Sequence, residues 1–111
     1  MRLRFTPEAE AQLQRRKRWW RQNRDKAPDL FDREFAAAAH RIHSSPLSFP
    51  VLTEKHGRAI RRCVMPRTQC RLYFEVLEDR SEISIIAASG GRRGKPPRFR
   101  LQEEPGRPTD G

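Results

Sequence analysis

The residues of this sequence best suited to chemistry are arginines. Arg61, Arg62, Arg67 and Arg71 fall close together, and Arg92 and Arg93 form a second group further on. Between the two groups apolar residues recur at every second position, the period of a β-strand. The arginines therefore belong to strands and strand ends that neighbour one another in a sheet. A guanidinium forks onto phosphate or carboxylate through two parallel hydrogen bonds and keeps its charge at any ordinary pH. Clustered, these side chains make an anion-binding patch for a nucleic-acid backbone, an acidic partner segment or a target protein. The plainer alternative is that they are the water-facing positions of alternating strands. Tyr73, the single tyrosine, lies in the same stretch.

Other combinations offer less. His40, His43, His56, Cys63 and Cys70 match no familiar zinc-ligand spacing, so no metal is expected. Nothing beside either cysteine would activate it as a nucleophile. No carboxylate pair converges and no glycine-rich phosphate loop precedes a helix, so no catalytic residue and no cofactor is assigned. Trp19-Trp20 stands among Arg18 and Arg21 and suits base stacking. Trp20, however, continues a stripe with Ala9 and Leu13 that belongs in a core. Arg15, Arg18, Arg21 and Arg24 share a helix face dense enough in charge to repel itself, which an acidic partner segment would relieve.

The whole chain carries the same bias. Its 111 residues hold 24 Lys/Arg against 14 Asp/Glu, a net charge of +10. That sign favours an anionic partner without identifying it. The length suits one domain. No apolar run approaches the roughly 20 residues that span a bilayer, and the N-terminal residues do not resemble a secretory signal. A cytoplasmic protein without a membrane partner, its two cysteines reduced, is the expectation.

The elements that must position these residues follow from pattern. Arg2 to Phe5 alternates as a short edge strand does. Thr6-Pro7-Glu8 then starts a helix running to about Asn23: threonine caps, proline suits the first turn, and glutamate favours the positive end of the dipole. Ala27-Pro28-Asp29 opens a second helix whose Phe31, Phe35, Ala38 and Ile42 make a core-facing stripe, ended by Ser44-Ser45-Pro46. Leu47 to Gly57 reads as an irregular connection. Strands follow at Ala59–Met65, Cys70–Leu77 and Glu82–Ser89, with a tight turn at Glu78–Ser81, spaced for an antiparallel meander of three or four strands. The predicted fold is α+β, a helical hairpin packed on a small antiparallel sheet in the order β-α-α-β-β-β. Residues 1–93 form the domain, and residues 94–111, rich in proline and glycine, read as a flexible tail.

This order of elements resembles the RelE/ParE superfamily of toxins from type II toxin–antitoxin modules. The likeness rests on the Ala9…Leu13…Trp19-Trp20 stripe, the Phe31/Phe35 helix and its Ser45-Pro46 exit. It rests more specifically on Ala59-Ile60-Arg61-Arg62, on Arg71-Leu72-Tyr73-Phe74-Glu75-Val76, and on Ile83-Ser84-Ile85-Ile86-Ala87-Ala88 running into Gly91-Arg92-Arg93. It covers residues 2–95 and leans towards the ParE-like branch. The resemblance implies a plasmid-stabilisation toxin that binds a cellular target, DNA gyrase, and is held in hetero-oligomers by a cognate antitoxin. Arg61, Arg62, Arg67, Arg71, Tyr73, Arg92 and Arg93 are then the target- or antitoxin-binding residues. Two alternatives stay open: a RelE-like ribosome-dependent mRNA endonuclease, and a degenerate, non-toxic nucleic-acid- or protein-binding module. The sequence departs from the family pattern at Thr68-Gln69-Cys70, at Gly90 where a histidine is common, and at Gly94-Lys95-Pro96.

Overall fold

A computed structural model describes residues 1–24 and 27–90. The described elements are β1 (Arg2–Phe5), α1 (Pro7–Asn23), α2 (Leu30–Ser44), β2 (Val51–Lys55), β3 (Arg58–Val64), β4 (Arg71–Leu77) and β5 (Glu82–Ser89), all but β2 as expected. The strands form one five-stranded sheet in the order β1-β5-β4-β3-β2. Among the described residues no helix is long and apolar enough to cross a membrane. The proposed tail, residues 94–111, lies outside the described residues.

Two features differ from the sequence reading. The segment expected to be an irregular connection contains β2, joined to β3 by the turn His56-Gly57. Both turn residues have positive φ (54° and 74°), the geometry that matches a two-residue hairpin to strand twist. Pro50 and a register shift at Val51/Thr53 broke the alternation that would have revealed this strand. The sheet is also mixed. β2 to β5 is the expected antiparallel meander, but β1 joins β5 in parallel, Arg2 opposite Glu82 and Phe5 opposite Ile85. The helical hairpin that follows β1 carries the chain away over one face and makes that geometry possible.

Helix α1 begins as its sequence requires. The Thr6 hydroxyl accepts the Ala9 N–H at 3.2 Å, and Pro7 occupies the first turn with Glu8 and Glu10. Thr6 is also tied to β5, its own N–H donating to the Ile85 carbonyl at 3.0 Å. The cap thus anchors the helix start to the sheet. Both helices pack on one sheet face. Ala9, Leu13 and Trp20 from α1 and Phe31, Ala38 and Ile42 from α2 meet Cys63, Leu72, Phe74, Ile83 and Ile85 in the main core. The opposite face carries a smaller apolar cluster, Ile60, Tyr73, Ile86 and Ala87 with Leu52. No described helix packs over it.

Candidate binding face

Strand alternation sorts the arginines by face, because residues directly opposite in a sheet project to the same side. Arg62 stands opposite Tyr73, and Arg71 opposite both Val64 and Ser89. All belong to the face away from the helices, where Arg62 and Arg71 are diagonal neighbours, roughly 7–8 Å apart at the backbone by sheet geometry. Arg62 has no acidic partner among the described residues.

The remaining predicted residues do not join them. Arg61 stands opposite Phe74, on the helix side. Its guanidinium donates to the Phe49 carbonyl at 2.5 Å and to the Leu47 carbonyl at 3.5 Å. It thus ties down the 3-10 turn Pro46–Ser48 before β2, and Phe49 in turn sits edge-on against Phe74. Arg67 lies in the turn between β3 and β4. Its backbone N–H, with that of Thr68, donates to the Glu34 carboxylate at 2.8–3.1 Å. Tyr73 is fully buried, with its hydroxyl accepting from Ser89 Oγ at 3.4 Å. Arg92 and Arg93 lie outside the described residues.

The sequence reading missed the groups that organise this face. Glu75 and Glu82 are each only 3% exposed. Arg58 grips Glu75 with two hydrogen bonds, Nε donating to Oε2 at 2.8 Å and Nη2 to Oε1. Arg2 and Arg4 from β1 both reach Glu82, at 3.2 and 3.5 Å. Towards the β2–β3 hairpin and the edge of β1, then, arginine charge is matched by carboxylate. Towards the end of β5, Arg62 has no such carboxylate among the described residues. The available signal was the period-two run Arg58-Ile60-Arg62 against Arg71-Tyr73-Glu75, which places one acid among several bases on a shared face.

Arg16 was missed too. Its guanidinium, on α1, lies against Gly90. A Cβ at Gly90 would sit 2.0 Å from Arg16 Nε. Where the resembling family commonly carries a histidine, this chain has a glycine whose side-chain space is filled by an arginine from the helix. Gln12, one turn earlier, accepts the Ala88 N–H at 2.8 Å and fastens α1 to the same strand. The cationic end of the outward face is therefore carried by Arg62 of β3 and Arg71 of β4, with Arg16 packed beside the exit of β5 from the helix side.

The chemistry available there is charge recognition. Arginine stays protonated and cannot serve as a base at ordinary pH, and the Tyr73 hydroxyl is sealed from solvent. The thiols are quiescent: burial pushes Cys70 up to about 11 despite Arg16 and Arg71 nearby, and burial also raises Cys63 although Arg41 opposes it. His43 contacts the Met1 carbonyl at 2.7 Å and His40 contacts Ser44. Among the described residues no group of three or more His, Cys, Asp or Glu could hold a metal ion. The groove between the helices, about 250 Å³, is floored by Phe5, Leu13, Phe31 and Phe35, with the Lys17–Asp32 ion pair at its rim. No protein-family model matches the sequence, and no characterised protein matches it significantly.

Proposed function

We propose that the chain is the toxin of a type II toxin–antitoxin module, of RelE/ParE type and closest in character to the ParE-like branch. In this reading it acts in the cytoplasm by binding an anionic surface of a cellular target, DNA gyrase, and a cognate antitoxin with an acidic segment neutralises it. The observation that carries the proposal is the uneven pairing of charge across one sheet face. Glu75 and Glu82 neutralise the arginines near the hairpin and β1, while Arg62, beside Arg71, lacks a carboxylate at the end of β5. The β-α-α-β-β-β order and the sequence likeness of the meander support the same assignment. Burial of Tyr73 and the protonated thiols favour binding over phosphodiester chemistry.

Inducible expression without antitoxin tests it. The expected result is growth arrest, with inhibition of gyrase supercoiling by the purified chain. Arg62→Ala combined with Arg71→Ala should relieve both, raising the inhibitory concentration at least ~10-fold, the usual weight of a charged contact at the centre of an interface. Normal growth with abundant folded protein sinks the toxin assignment. Arrest accompanied by mRNA cleavage at ribosomal A sites, with gyrase unaffected, replaces the ParE-like reading by the RelE-like one.

A further inference from the structure

The two adjacent tryptophans have different fates. Trp20 is buried, and its indole N–H donates to the Ala27 carbonyl at 2.9 Å. Trp19 keeps 41% of its surface exposed, unusual for the largest side chain in a small protein. One side of its ring is occupied: the Arg16 guanidinium carbon stands 4.6 Å from the ring centroid, and Arg16 is itself braced by Gly90. Trp19 is thus held in place by a cation–π contact rather than by core packing.

Its surroundings on α1 are cationic. Arg15, Arg18, Trp19 and Gln22 fall at i, i+3, i+4 and i+7, one continuous exposed strip of helix. On α2, Asp32 is already engaged by Lys17 at 3.1 Å and Arg21 at 3.3 Å. Arg15 and Arg18 have no acidic partner among the described residues. An exposed, pre-positioned indole between unpaired guanidinium groups combines a stacking surface for a base with two forks for phosphates. An acidic peptide would use the arginines but has no need of an open aromatic face.

We infer that this strip of α1 is a platform for single-stranded nucleic acid, with a base stacked on Trp19 and flanking phosphates on Arg15 and Arg18. It is a surface separate from the sheet face that carries Arg62 and Arg71, and it stands whether or not that face inhibits gyrase.

The test is the binding of a labelled short oligouridylate by fluorescence anisotropy across a salt series, with polyglutamate as a competing probe. Trp19→Ala should weaken binding about tenfold, within the range for losing one stacked base, and Trp19→Phe should restore most of it. Arg15→Gln with Arg18→Gln should flatten the slope of log affinity against log salt by about 1.4, two phosphate contacts at roughly 0.7 each. Arg62→Ala with Arg71→Ala should leave oligonucleotide binding unchanged, which separates the platform from the sheet face. Thermal melting of each variant verifies folding, and exposed positions should leave it unaltered. Equal affinity of Trp19→Ala and the native chain overturns the inference. So does binding of polyglutamate, but not oligouridylate, with the same dependence on Trp19.

Discussion

The Arg58–Glu75 pair gives the sharpest energetic test of how the outer face is built. Glu75 is 3% exposed, and the Arg58 side chain only 18%. Removing one partner of a buried pair leaves a charge without compensation, at a cost of about 3–5 kcal/mol. In Glu75→Ala the survivor is an arginine with a flexible stem and some access to water, so the loss should sit at the lower end, about 3 kcal/mol. A domain of this size has about 5–10 kcal/mol of stability, so the variant should remain folded but with its melting temperature lowered by roughly 12–20 °C. In Arg58→Ala the survivor is the more deeply buried carboxylate, and the loss should be larger. Replacing both by apolar residues of similar volume, Arg58→Met with Glu75→Leu, removes both desolvation penalties and should recover most of the stability. Urea unfolding followed by tryptophan fluorescence measures the stability of the native chain and of all three variants. A loss below about 0.5 kcal/mol for Glu75→Ala, the scale of a surface pair, would refute the assignment of a buried, structure-determining contact.

Two further predictions concern groups that hold the frame. Burial raises Cys70 to about 11 from an ordinary 9.0, so the neutral thiol is the folded form. Its contribution is therefore complete below pH 9 and disappears as pH rises from 9 towards 11, a loss of order 3 kcal/mol at 1.36 kcal/mol per unit. Cys70→Ala should flatten the stability profile over that window, and an unchanged slope would exclude the thiol as its source. Glu34 accepts the N–H groups of Arg67 and Thr68 from the β3–β4 turn. Glu34→Ala should therefore cost about 1–3 kcal/mol and accelerate amide exchange at those two residues. Unchanged exchange there would show that the turn holds itself.

Much of this architecture is legible in the sequence because local and global signals agree. Thr6-Pro7-Glu8 specifies a helix start and the structure uses each residue as expected, with Thr6 capping Ala9. The stripe Phe31, Ala38 and Ile42 faces the core as its spacing requires. What escaped was information carried by strand pairing. The register shift beside Val51 hid β2, and the parallel placement of β1 depends on where the helical hairpin returns the chain. The candidate site was half legible for the same reason. Adjacent arginines in a strand point to opposite faces, so Arg61 and Arg62 could never act together: one anchors the Phe49 carbonyl and the other faces outward beside Tyr73. Which of the two faces outward is decided by Phe74 and Leu72, whose burial against the helices fixes the parity of the whole sheet.

The same parity explains why charge pairing on this protein is uneven rather than merely abundant. Glu75 and Glu82 lie on the outward face, so each neutralises arginines from a neighbouring strand, Arg58 on one side and Arg2 and Arg4 on the other. At the end of β5 the corresponding outward positions are Ser89 and Ala87, which have no charge to offer Arg71 and Arg62. Gly90 then leaves room on the helix side for the Arg16 guanidinium, which any side chain there would displace. A cationic surface arising from a random excess of arginine would scatter across every strand. Here it is confined by carboxylates on two sides and gathered at one end of the inner strands β3 and β4. Moving the balance by a single residue, Ser89→Glu, should place a carboxylate opposite Arg71. If this end of the outward face is the site of the proposed inhibition, that variant should fold normally and lose inhibition as fully as the double arginine variant does; retained inhibition would place the active surface elsewhere.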